Sequence, residues 1–294
     1  ILIILFFVIR LIFSSGPKEE ENAELTYWGL YEDQRVMQVL IEEFERENKN
    51  IKVTFVQQDP NQYRDRLMTR IRNGSGPDIF RYHNSWVPML TGVLLPLSED
   101  TVKPSEFKKT YYPVVTTDLV YNGGIVGVPL SIDTLAMYTN DQMFSSQRLK
   151  PPQNWEDFVR VAAALTTRVE EGEEKGKITT AGTAMGTYDN VTHAPDIVSL
   201  LFVQSGINLR DIAAVKEEEK VDQCETRACI VLNYYTIFAR GGGSIQKVWD
   251  GSLDSSMVAF ANGRVGMYFG YSWDIFAIRA INPSLSFSTH PVPQ

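Results

Sequence analysis

The sequence predicts an α/β protein of two domains, and three observations carry that reading. Strand-like and helix-like segments alternate from Leu25 onwards in a β-α-β-α-β run. The chain has 294 residues, against about 150 for an ordinary globular domain. Its composition, 44% hydrophobic, 22% charged and 11% aromatic, supplies a core of normal size and excludes wholesale disorder.

Residues 1–13 (ILIILFFVIRLIF) are apolar apart from Arg10. A bilayer core needs about 20 such residues, but the chain begins with Ile rather than Met, so the run is a lower bound. An apolar segment followed by the polar stretch Ser14–Ala23 reads as a signal peptide or uncleaved signal anchor, with a buried core strand as the alternative. The expected organisation is a leader and linker over 1–23, an N-terminal α/β lobe over 24–132 and a C-terminal α/β lobe over 133–294.

Leu25–Trp28 is a short apolar strand closed by Gly29. Asp33–Asn48 places Val36, Leu40 and Phe44 on one stripe, with Met37 and Ile41 beside it, as an amphipathic helix does. Ile51–Val56 alternates with period two and is β-branched, hence a strand. Tyr63, Leu67 and Ile71 mark a second helix, which Asn73-Gly74 stops. Asp78–Tyr82 is the third strand, so the run predicts an open parallel sheet covered by helices. A helix follows near Glu106–Leu119, then two extended segments, Gly124–Leu130 and Leu135–Tyr138, around Asp133-Thr134.

In the second half Asn154 caps a helix to about Arg168, with Pro151-Pro152 preventing an earlier start. Glu170–Lys177 is a charged, solvated connection. Thr179–Met185 is extended, and Asp196–Gln204 and Thr226–Ala239 are helices closed by glycines. A helix near Asp254–Asn262, a strand Arg264–Phe269, a helix Ser272–Ala280 and a strand Leu285–Ser288 complete the chain.

The charge balance, 28 basic against 36 acidic residues and a net −8, gives no electrostatic reason to seek phosphate backbones, so nucleic acid is excluded as a partner. His83, His193 and His290 lie far apart, and no His/Cys spacing suits a metal. Each histidine reads as an ordinary surface or core residue. Cys224 and Cys229 read equally as a small disulfide or as two thiols on a helix.

Gly74–Pro77 lacks the Lys-Ser/Thr ending of a phosphate loop, and Gly123–Gly127 misses the dinucleotide spacing. There is no G-x-S-x-G or H-E-x-x-H motif. Carboxylates at Glu32, Asp33, Asp78, Asp133 and Asp189 leave a glycosidase-like pair open, although nothing singles one out. No cofactor is expected.

What stands out is a crowding of polar and aromatic residues at strand ends. Tyr31, Glu32 and Asp33 follow the first strand; Tyr82, His83, Asn84, Ser85 and Trp86 follow the third. Asp133 sits between extended segments, Tyr188–Asn190 follow another, and Gly270–Trp273 follow the strand 264–269. Ligands of open α/β sheets bind beyond strand carboxyl ends. Aromatic faces beside carboxylates and amides suit a neutral sugar, the rings covering C–H faces while the polar groups bond hydroxyls. Trp28 and Trp86 read equally as core residues, and Trp155, inside a capped helix, reads as core.

At these residues the chain resembles the extracellular solute-binding proteins of ABC importers, in particular the large carbohydrate-binding cluster (family 1). The matching segments run in order: Tyr27-Trp28-Gly29, Asn50–Val53, Gly76–Ile79, Leu94–Leu97, Gly127-Val128-Pro129, Tyr138-Thr139-Asn140, Asn154–Phe158, Phe260–Met267 and Gly270–Trp273. The resemblance implies a two-lobe periplasmic-binding-protein-like fold whose hinged cleft closes on a sugar or oligosaccharide. Carried over by position, the cleft residues are Tyr31, Glu32, Tyr82, Asn84, Ser85, Asp133, Tyr188, Asn190 and Trp273, with Asp133 and Trp273 on opposite sides of one solute. It further implies a monomeric, non-enzymatic protein outside the cytoplasmic membrane that serves ABC permease subunits. Family members continue past the point where Pro293-Gln294 ends this chain and return to the first lobe, so both lobes are expected to lack pieces. No lipid-anchor cysteine follows the leader. A secreted carbohydrate-active hydrolase and a membrane-tethered solute sensor are the alternative readings.

Overall fold

A computed structural model describes residues 22–207, 223–242 and 245–294. The apolar leader Ile1–Phe13 lies outside the described residues. The chain divides into two compact units, one ending at Leu130 and the other running Ser131–Gln294.

The first unit opens with strand β1 (Ala23–Gly29), helix α1 (Gln34–Glu47), strand β2 (Ile51–Gln57), helix α2 (Tyr63–Arg72) and the short strand β3 (Ile79–Phe80). The strands form a parallel sheet in the order β2-β1-β3, with Ala23 opposite Ile51 and Tyr27 opposite Ile79. Asp33 caps α1, its carboxylate accepting from the Arg35 N–H at 2.8 Å, as a helix start requires.

The α1 stripe expected to face the sheet does not do so. Val36, Leu40 and Phe44 are exposed, while Met37, Ile41 and Glu45, one position round the helix, are half-buried. Glu45 decides the orientation. Its carboxylate accepts from the Val53 N–H at 2.8 Å and from Lys52 Nζ at 2.8 Å, which turns the 37–41–45 face onto β2.

A short turn of helix, Asn84–Trp86, runs into α3 (Val87–Leu90). The helix expected over Glu106–Leu119 is two helices, α4 (Pro104–Thr110) and α5 (Pro113–Leu119). Pro113 causes the break, because it lacks an N–H and drives Tyr112 to extended backbone (ψ 150°). Of the extended segment 124–130 only β5 (Gly124–Ile125) pairs, antiparallel, with β4 (Val120–Tyr121). Two small cores result, one around Leu30, Tyr63 and Leu67 and one around Val87, Phe107, Val115 and Ile125.

The second unit comprises β6 (Ala136–Asn140), α6 (Asp141–Ser146), α7 (Trp155–Leu165), β7 (Thr167–Arg168), β8 (Ile178–Thr183), α8 (Ala194–Gln204), α9 (Arg227–Arg240), α10 (Ser256–Ala261), β9 (Val265–Gly270), α11 (Asp274–Ile281) and β10 (Phe287–His290). Its sheet runs β10-β6-β9-β8-β7. Only β8 and β9 pair in parallel; the other neighbours are antiparallel. Every residue of the central β9 is buried.

Asn154 caps α7 as expected, accepting from the Asp157 N–H at 2.8 Å. The helix stops at Leu165, because Thr167 and Arg168 leave it to pair with β8. Gly182 permits the close packing of β8 on α7: a Cβ there would lie 1.8 Å from the Ala162 carbonyl oxygen. Phe158, Phe238, Phe260, Phe269 and Trp249 fill one continuous core. Trp155 joins its edge, ringed by Phe158, Tyr234 and Phe269. Cys224 and Cys229 are disulfide-bonded beside the start of α9, with Cα atoms 5.2 Å apart.

Candidate functional site

In the second unit the candidate site is built at the carboxyl end of β9. Gly270 ends that strand, and a Cβ there would lie 2.4 Å from Asp274 Oδ2 and 2.5 Å from the Tyr268 ring. The missing side chain makes room for Asp274, which is only 4% exposed although it is the first residue of α11. Its Oδ2 accepts three hydrogen bonds, from the Tyr268 hydroxyl at 2.7 Å, from His193 Nε2 at 2.8 Å and from the Tyr271 N–H at 3.2 Å. Burial alone would raise the Asp274 pKa. The bonds from His193 and Tyr268 outweigh it and hold the carboxyl below its usual range. Burial, reinforced by the charge on Asp274, pushes the Tyr268 phenol far up.

The turn after Gly270 is gripped from two more directions. Tyr138 donates its hydroxyl to the Tyr271 carbonyl at 2.5 Å. Asp133 Oδ2 accepts from the Ser272 N–H at 3.0 Å and from its hydroxyl at 2.5 Å. So fixed, Tyr271 carries the Trp273 indole stacked on its ring, at 4.4 Å and 18° between planes. Trp273 remains 51% exposed. The product is a paired aromatic face open to solvent beside a carboxylate. Asp133 bonds Ser272, the residue next to Trp273, so Asp133 and Trp273 belong to one strand-end cluster.

Tyr188 projects outward at 69% exposure. Its loop is held by Asn190, whose Nδ2 donates to the Asp250 carbonyl at 2.9 Å and the Leu253 carbonyl at 3.1 Å. Asn190 Oδ1 accepts from Trp249 Nε1 at 3.0 Å and from the Thr187 hydroxyl. The amide thereby braces Tyr188 from within.

In the first unit Glu32 plays a similar part. Its Oε2 accepts from the Leu30 N–H at 2.9 Å and the Tyr31 N–H at 3.2 Å, and its Oε1 pairs with Arg81. This folds the post-β1 turn and leaves Tyr31 72% exposed. Tyr82 lies over Gly127, where a Cβ would come 2.1 Å from its hydroxyl oxygen, and donates to the Val126 carbonyl at 2.9 Å. Burial pushes its phenol up to about 12. Asn84 donates to Asp118 Oδ2 at 2.6 Å, and Ser85 Oγ lies 2.8 Å from His83 Nδ1. A hollow of about 520 Å³ in the same unit is lined by Trp28, Gln58, Gln62, Asp65 and Arg66 among others, and by none of the residues expected from sequence.

Sequence reasoning missed Asp274, His193 and Arg81. An Asp at a helix start reads as an exposed first-turn acid, and His193 lies 81 residues from its partner. The one available signal was position, since Asp274 and Arg81 adjoin strand-end segments already singled out. Among the described residues no cluster of His, Cys, Asp and Glu suits a metal ion, and no helix is long and apolar enough to cross a membrane.

Residues 39–294 match the model of the family described as bacterial extracellular solute-binding protein. The chain belongs to that family. It is 23% identical over 300 residues to the "Multiple sugar-binding protein" of Streptococcus mutans, covering 95% of this chain and 64% of the relative. It thus spans less than two thirds of that protein's length. Among solved structures of this fold, the ABC substrate-binding protein Lmo0181 from Listeria monocytogenes, in complex with cycloalternan, superposes with a TM-score of 0.66 at 20% identity, over 93% of this chain and 67% of the other. The GacH receptor of Streptomyces glaucescens, studied unliganded and with acarbose, gives 0.64 at 22% identity, over 93% and 67%. These solute-binding proteins share the mixed α/β fold, and the expected two-lobe fold class stands with them.

Proposed function

We propose that this chain is part of the solute-binding component of an ABC importer, one that binds a sugar or oligosaccharide outside the cytoplasm and delivers it to permease subunits. The observation that carries the reading is the half-exposed Tyr271–Trp273 stack with Asp133 beside it. A pyranose offers C–H faces that stack on such rings and hydroxyls that donate to such a carboxylate. Membership of the solute-binding family and the sugars named for its relatives point the same way. Tyr188 adds a further exposed ring in the second unit; within the first unit, taken by itself, Tyr31, Tyr82, Asn84 and Ser85 are the candidate solute-binding residues. Glu32 and Asn190 act by shaping the loops that carry Tyr31 and Tyr188.

The chain works by binding without turnover. The carboxylates of the candidate site are engaged in structural bonds, Asp133 with Ser272, Asp274 with His193 and Glu32 with Arg81, and none is arranged as a free acid beside a free base. The disulfide supports a location in an oxidising compartment, and the apolar segment Ile1–Phe13 serves as export signal or anchor.

The test is a melting-temperature screen against maltotriose, mannotriose, cycloalternan and acarbose, with reducing ends assayed in parallel. A rise in Tm without release of reducing ends is expected. Release that is abolished by Asp133→Ala would replace the reading with a hydrolase.

A further inference from the structure

Asp274 is an unusual helix-start residue. A carboxylate there normally faces solvent or accepts from the free N–H groups of its own helix. This one turns into the core, where an ionised group is retained only if fully partnered. Its three partners come from three places: Tyr268 from β9, His193 from the residue preceding α8, and the Tyr271 N–H from the turn itself. All three converge on one oxygen. From there the contacts lead outward as a column of rings. The His193 ring stands edge-on to Tyr271 at 4.9 Å, and Tyr271 stacks on Trp273 at 4.4 Å. Asp196 lies on the far side of the imidazole, its Oδ2 3.8 Å from Nδ1, so His193 is bracketed by two carboxylates.

We propose that Asp274 is the positioning residue of the Tyr271–Trp273 ring pair, its buried carboxylate tying the turn to His193 and so holding both rings in register for a sugar face. The proposal rests on the carbohydrate-binding reading for its purpose, and on the geometry alone for its mechanism. Asp274 itself meets no solute; it acts through the Tyr271 backbone. Gly270 belongs to the same device, because any side chain there would displace the carboxylate oxygen.

The experiment uses the full chain labelled with 5-fluorotryptophan. Its five tryptophans give separate fluorine signals, with those of Trp273 and the fully buried Trp249 assigned by Trp273→Phe and Trp249→Phe. Asp274→Asn should shift and broaden the Trp273 signal and leave Trp249 in place, because a neutral amide replaces the charge that collects the three donors. His193→Gln should act in the same direction, and it decides the matter if Asp274→Asn does not fold. With whichever of maltotriose, mannotriose, cycloalternan or acarbose raises the parent's Tm, Asp274→Asn should weaken binding about tenfold. It should add nothing in a Trp273→Ala background, since the residue acts through that ring. A Trp273 signal that stays put in the folded variants, or two binding penalties that simply add, would overturn the proposal. If none of the four sugars binds the parent, the carbohydrate reading falls, and the fluorine signals alone still decide the positioning.

Discussion

Asp133 and Ser272, 139 residues apart in sequence, share two hydrogen bonds on a single carboxylate oxygen, from the Ser272 N–H at 3.0 Å and from its hydroxyl at 2.5 Å. Antiparallel pairing of β6 with β9, which sets Ala136 opposite Gly270, brings these two turns together. Asp133 is only half-buried, so the bond shapes the turn beneath Trp273 while leaving acceptor capacity for a solute hydroxyl.

Asp133→Ala should therefore weaken oligosaccharide binding by ten- to a hundredfold, as loss of a charge-assisted hydrogen bond worth about 1.5–3 kcal/mol implies. Its Tm should stay near that of the parent, because the lost bonds lie at the surface. Calorimetric titration and a thermal melt on one preparation check both halves; a large fall in Tm with intact affinity would make Asp133 structural.

Two tryptophans should separate stability from binding. Trp155 packs among three aromatic rings and donates to Gln204 Oε1 at 2.8 Å, so Trp155→Ala should cost about 3 kcal/mol of folding stability in urea titration. Trp273→Ala should cost less stability than Trp155→Ala, since half of the ring already faces water, and should lose at least tenfold in affinity. The reverse pattern would misassign both residues.

The first unit was the more legible in sequence. Period-two alternation over Ile51–Gln57 and the spacing of Tyr63, Leu67 and Ile71 are local signals, and the β-α-β order followed from them. The orientation of α1 was not legible, because Val36, Leu40 and Phe44 form as good a stripe as Met37 and Ile41; the Glu45 bond to the β2 backbone chooses between them. Pro113 is a local signal that splits the helix expected near Glu106–Leu119 in two. In the second unit Trp273 and Tyr188 could be found as rings placed just beyond extended segments. The Asp274–His193 pair could not, because it exists only once α8 and β9 have been packed together.

The acid response should report Asp274. Its native pKa is held below the ordinary carboxylate value by its hydrogen bonds, against the effect of burial. It therefore contributes stability at pH values above about 4, the value in the unfolded chain, and that contribution disappears as pH falls through the lower native value. Parent and Asp274→Asn should differ in unfolding free energy at pH 6 and converge towards pH 2. A difference that is constant across that range would mean that the carboxylate's charge does not contribute.

Whether the Tyr271–Trp273 face binds carbohydrate is decided by calorimetric titration of the parent and of Trp273→Ala with the sugar that most raises the parent's Tm. Saturable binding by the parent, at least tenfold weaker binding by the variant and no consumption of sugar are expected. Equal affinity in the two proteins, with the variant folded, would contradict binding at this face.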